Sequence, residues 1–277
     1  MEKAFTYMFK DNKFRTKALS YFVLLFICQL CSTYIQLKLP DFKDAQALKS
    51  IAPEQILQVL PLCTILFVVS MVISFIISGY KIACIRSLIE KKENLVLPTM
   101  NFVKNLGTGF KFSIASFLLG LAILSIVGIG AVIFILLFKF TPVSMQIPLI
   151  ILAVILSIVA VFGTLFLAVL NYGFTWLFAK TDDIFSFFRF KELGELINKN
   201  VNNYILCILI SVAITIGIGF IIGACSFMFT IPALFFPGDA ARNISLGTNV
   251  ILTSVFSTYL MFVFSYIIAN CINKTYE

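Results

Sequence analysis

Histidine is absent from this chain of 277 residues, and tryptophan occurs once. Without histidine the commonest general base and the commonest metal ligand are missing. Charge is scarce as well. Only 12% of residues are Asp, Glu, Lys or Arg, where a soluble domain carries about a quarter. Apolar residues make up 60% and the mean hydropathy is +1.03. So few charges cannot cover an aqueous surface, and lipid is the expected solvent. The 13 carboxylates all fall outside the longest apolar runs. Proton relays and ion-coupled transporters place ionisable groups inside such runs, so a proton-driven carrier is not expected. Asp182-Asp183 lacks the third nearby Asp that a diphosphate-binding enzyme would present, and reads as a helix cap. Cys28 and Cys31 form a C-x-x-C pair with no charge nearby to lower a thiol pKa. They read as packing residues, and the seven cysteines form no framework of outer-loop disulfides.

What the chain does contain is long apolar runs. Residues 18–37, 56–80, 112–138, 147–172, 204–229 and 250–272 are each uncharged and at least 20 residues long. About 20 residues at 1.5 Å rise cross a hydrocarbon layer of about 30 Å. The runs do not alternate as barrel strands do, and lipid requires the backbone to satisfy itself. The expected fold is therefore all-α, a polytopic membrane protein of six transmembrane helices in a single domain spanning residues 1–277. The first run is preceded by 17 polar or mixed residues and followed by no small-x-small site, so it is not expected to be a cleaved leader.

Lys and Arg set the orientation. Sixteen of the 21 fall in the amino-terminal segment, in residues 81–111, in residues 180–199 and in the tail. Five lie on the other side: Lys38, Lys43, Lys49, Lys139 and Arg242. Both termini are expected in the cytoplasm, at the cell membrane. The net charge of +8 then faces anionic headgroups, and no nucleic acid is needed to explain it.

"VGIGAVIF" at residues 127–134 recurs as "IGIGFIIG" at residues 216–223. Neither copy has the third glycine of a dinucleotide loop, and both lie in apolar runs. Gly128, Gly130, Gly217, Gly219 and Gly223 are instead expected at helix–helix contacts, where small residues let backbones approach. The even-numbered spans also end alike, in "SGYKIAC", "LNYGFTW" and "FSYIIAN". Each odd-numbered span follows an amphipathic stretch. The first carries Phe5, Met8 and Phe9, the second Phe102, Val103, Leu106 and Phe110, and the third Phe185, Phe188, Leu193, Leu196 and Ile197. Spacings of three and four put each set on one helical face, suited to the headgroup layer. Three parallel repeats follow, at about residues 1–82, 83–174 and 175–277, each an interfacial helix plus a transmembrane hairpin. Lys91, Lys92, Lys104 and Lys111 flank the second amphipathic stretch and are candidate lipid-headgroup contacts.

Gly79-Tyr80, Arg86, Leu97-Pro98 and a glycine at 107 or 109, then a new span, resemble a family of bacterial and archaeal multi-pass membrane proteins. That family is catalogued only as a domain of unknown function. Thr99 and Met100 stand where its pattern has an acidic residue and a tryptophan. The resemblance implies a fold and no catalytic residue. The expected class is a non-enzymatic membrane protein without cofactor or metal, with membrane lipids as partners, in lipid handling, membrane organisation or scaffolding. The alternative is the permease subunit of an ATP-driven (ABC-type) transporter, with an ATPase as partner.

The orientation is directly testable. In a cysteine-free background, Thr99→Cys should resist an impermeant thiol reagent in intact cells and react once the membrane is opened. Labelling from outside would reverse the topology.

Overall fold

A computed structural model describes residues 9, 11–38, 53–90, 97–140, 142, 146–233 and 238–272. It is all-helical among these residues. The helices are α1 (Phe14–Lys38), α2 (Pro53–Ile89), α3 (Phe102–Phe140), α4 (Gln146–Thr181), α5 (Phe190–Lys199), α6 (Val201–Ala233) and α7 (Gly238–Asn270). A 3-10 turn, Ile184–Phe188, separates α4 from α5. Five helical stretches are long and apolar enough to cross a membrane: Phe14–Leu37, Val59–Ile89, Phe102–Lys139, Val201–Met228 and Ser245–Asn270. The expected span at residues 147–172 is helical throughout, inside α4.

Two expectations about the repeats need revision. The second amphipathic stretch is no separate interfacial helix; it is the first turns of the 39-residue α3. Nothing between residues 102 and 140 interrupts the helix, since Gly107 and Gly109 are tolerated where neighbouring turns continue the hydrogen bonds. The third stretch is two elements, not one face. Phe187 and Leu193 are buried while Phe185, Phe188 and Phe190 are exposed. The first stretch, apart from Phe9, lies outside the described residues.

The core is gathered at one end of the bundle. One cluster joins Ile82 and Ile85 of α2, Phe174 to Ala179 of α4, Leu193 of α5 and Ile268 of α7. A second joins Tyr21, Tyr80, Leu97 and Phe262. Towards the other end the apolar side chains face outward: Leu124 is 70% exposed and Phe220 is 78% exposed. Trp176 does not belong to a lipid-facing aromatic belt. It is buried, its indole N–H donates to the carbonyl of Ala269 at 3.3 Å, and Lys180 lies over its ring.

α2 packs most extensively on α3, and two glycines set the approach. A Cβ on Gly79 would lie 1.8 Å from the carbonyl oxygen of Asn105; one on Gly109 would lie 1.7 Å from that of Phe75. Backbones this close admit no side chain. The five glycines of the recurring segments do not behave this way. A Cβ on Gly128, Gly130, Gly217, Gly219 or Gly223 meets nothing within 4 Å among the described residues. The contacts expected there are absent among those residues, because the halves of α3 and α6 that carry the glycines lie away from the core.

Gly79→Ala and Gly109→Ala should each destabilise by more than about 2 kcal/mol, since packed helices must separate. Gly219→Ala should be neutral, or stabilising by up to about 1 kcal/mol through helix propensity. Unfolding titrations in mixed micelles measure the difference, and equal effects at Gly79 and Gly219 would refute the crossing.

Candidate functional site

Residues 97–101, just before α3, form a strap over the packed end. Leu97 is buried, and three side chains hold the strap down. The N–H of Leu97 donates to Asp11 Oδ2 at 2.9 Å, Lys17 Nζ donates to the Leu97 carbonyl, and Tyr80 Oη donates to the Pro98 carbonyl at 3.2 Å. Asn101 then starts α3, its Oδ1 accepting the N–H of Lys104 at 3.1 Å.

Asp11 and Lys17 form a buried ion pair of 2.7 Å, with side chains 4% and 7% exposed. Asp11 also accepts the backbone N–H of Lys13 at 2.8 Å. Burial by itself pushes the Asp11 carboxyl up. The hydrogen bond from Lys17, the Lys13 N–H, the charge on Lys17 and the Leu97 N–H together outweigh it and hold the group below its ordinary value.

A second charged cluster lies where α4 ends. Asp182 takes a positive φ of 57°, which ends the helix while its N–H still donates to the carbonyl of Phe178. That turn aims its carboxylate at α2 and α3. Arg86 donates to Asp182 Oδ1 at 3.1 Å and to the Ala179 carbonyl at 2.8 Å, and Lys111 reaches Asp182 Oδ2 at 3.3 Å. Asp183 caps the 3-10 turn by accepting the N–H of Phe185, as its sequence context implies. That N–H, with Arg189, holds its carboxyl below the ordinary value.

Between the amino-terminal turn, α2, the strap and the start of α3 lies a polar cavity of about 1000 Å³. Lys13, Lys17, Arg86 and Lys104 line it, with Asn105 and Glu90. Asn105 is 3% exposed, and its side-chain Nδ2 has no partner among the described residues. A separate apolar cavity of about 560 Å³ lies between α1, α2 and α7, lined by Leu30, Tyr34, Leu66 and Val250 among others. It offers room for hydrocarbon and few groups to fix it.

Of the four lysines singled out in the sequence, the structure brings Lys104 to the polar cavity and commits Lys111 to Asp182. Lys91 and Lys92 lie outside the described residues. Asp11, Lys13, Lys17 and Asn105 are gathered at the same place without a local motif to mark them. No group of three or more potential metal ligands occurs among the described residues.

The residues of the sequence pattern at 79–109 are accounted for by this packing. Gly79 and Gly109 admit the close approach of α2 and α3. Tyr80 ties the strap, Leu97-Pro98 form it, and Arg86 anchors the end of α4. The family model described as Protein of unknown function (DUF4013) matches residues 62–227, and the chain belongs to that family. No curated protein and no solved structure matches the chain.

Asp11→Asn should leave Lys17 buried beside a neutral partner and cost about 3 kcal/mol. The pH sign follows from the lowered pKa. Ionised Asp11 favours the folded state, so its contribution is complete above the unfolded carboxylate value of about 3.9. It is lost as pH falls through the lower folded value. Unfolding midpoints measured from neutral pH to pH about 3 should show this acid dependence in the native chain and a weaker one in Asp11→Asn.

Proposed function

We propose that this DUF4013 chain is a non-enzymatic membrane protein of six spans, with both termini in the cytoplasm. Its work is to hold or organise anionic lipid at the cytoplasmic face. One observation carries this reading: the buried core, the strap and the polar cavity all lie at the end where basic residues concentrate. The opposite halves of α3 and α6 turn large apolar side chains outward, as helices in hydrocarbon do. No histidine is available to act as a base, and the buried carboxylate of Asp11 is consumed in holding the strap. Lys104 and the exposed Phe102 and Val103 beside it suit a headgroup layer.

Purification of the full chain in native-lipid discs tests the reading. Anionic lipid should be enriched over the surrounding membrane, and no ATPase should accompany the chain in stoichiometric amount. An ATPase recovered one-to-one, with hydrolysis stimulated by the chain, would overturn the reading in favour of a permease subunit.

A further inference from the structure

The cations around the polar cavity are not equivalent. Lys17 is spent on Asp11 and the Leu97 carbonyl. Arg86 is spent on Asp182 and the Ala179 carbonyl. The side-chain ammonium groups of Lys13 and Lys104 have no partner among the described residues. The acids on the wall are already engaged: Asp11 accepts from Lys17, Lys13 and Leu97, and Glu90 has interactions of its own. Two cations uncommitted among the described residues therefore line the cavity together with Asn105, whose buried amide nitrogen has no partner among those residues. A buried donor without an acceptor is rare in folded proteins and calls for one from outside.

We propose that this cavity binds a phosphate group through Lys13, Lys104 and the Asn105 side-chain amide. A phosphate has the charge for two ammonium groups and enough acceptor oxygens to satisfy the amide as well. The volume of about 1000 Å³ leaves room for the polar group that a phosphate ester carries. A lipid headgroup is the favoured source, and in that respect the proposal rests on the function given above. Val103, 83% exposed, and Phe110, 48% exposed, lie seven residues apart on α3 and so share a face. They would meet hydrocarbon while Lys104 reached the phosphate. A soluble phosphate ester offers the same chemistry without that apolar part.

The test uses the full chain in discs of phosphatidylcholine, with and without phosphatidylglycerol, and glycerol 3-phosphate as a soluble competitor. Lys13→Gln with Lys104→Gln should bind anionic lipid about thirtyfold more weakly, a factor of about five for each lysine. Both side chains are exposed, so the unfolding midpoint should not move. Lys191→Gln with Lys199→Gln removes the same charge from α5 and should have little effect. Asn105→Leu changes no charge and should still weaken binding. Equal losses in the two lysine pairs, with none in Asn105→Leu, would mean diffuse surface attraction and overturn the site while leaving lipid binding intact. Saturable binding of glycerol 3-phosphate that the Lys13/Lys104 pair abolishes, without lipid enrichment, would uphold the site and refute the lipid source. No binding of either probe by the native chain would overturn the site.

Discussion

The close crossing of α2 and α3 is the constraint on which the rest of the packed end depends. Gly79 lies against the backbone of Asn105 and Gly109 against that of Phe75, so the two helices touch backbone to backbone at two points about one turn apart. That contact holds the first turns of α3, which follow the strap, against α2. It also sets one wall of the polar cavity. Asn105 illustrates the coupling: its backbone carbonyl forms the crossing, and its side chain is held in the cavity wall by the same geometry. Widening the crossing by one methyl group would therefore disturb the cavity as well as the bundle.

Charge is used at this end with economy. Asp11, Lys17, Arg86 and Asp182 are ionisable groups placed on or near the packed end, and each is paired. A buried pair is weak evidence of net stability, since desolvation offsets much of the attraction. Its value here is positional. Asp11 accepts one donor from the strap and one from a helix, so the amino-terminal turn cannot leave without exposing Lys17. Asp182 does the same for α4, α2 and α3 through Arg86 and Lys111. Lys13 and Lys104 stand apart because no such partner faces them among the described residues.

The helical membrane class was legible because apolar runs of 20 residues or more admit few other structures in lipid. The pattern around Gly79, Arg86 and Leu97 was also visible, although the contacts it serves were not. Periodicity gave Phe102, Leu106 and Phe110 a common face but could not say whether that face lay on its own helix or on the start of α3. The recurring glycines, which meet no neighbour among the described residues, differ from Gly79 and Gly109 for a related reason. A small residue permits close approach without causing it, so Gly128 and Gly219 look like Gly109 until the neighbouring helix is placed. The burial of Trp176 was not legible, because it depends on α7, almost a hundred residues away in sequence. The cavity was illegible because Asp11, Leu97 and Asn105 meet only through tertiary contacts.

Amide hydrogen exchange of the full chain in lipid discs tests the central claim most directly. Leu97 lies outside any helix, and a free connection would exchange its N–H rapidly. If the strap is clamped through Asp11 onto the Gly79–Gly109 crossing, the Leu97 amide should exchange about as slowly as those in the packed part of α2. That protection should disappear in Asp11→Asn while the apolar halves of α3 and α6 are unchanged. Rapid exchange at Leu97 in the native chain would contradict the account.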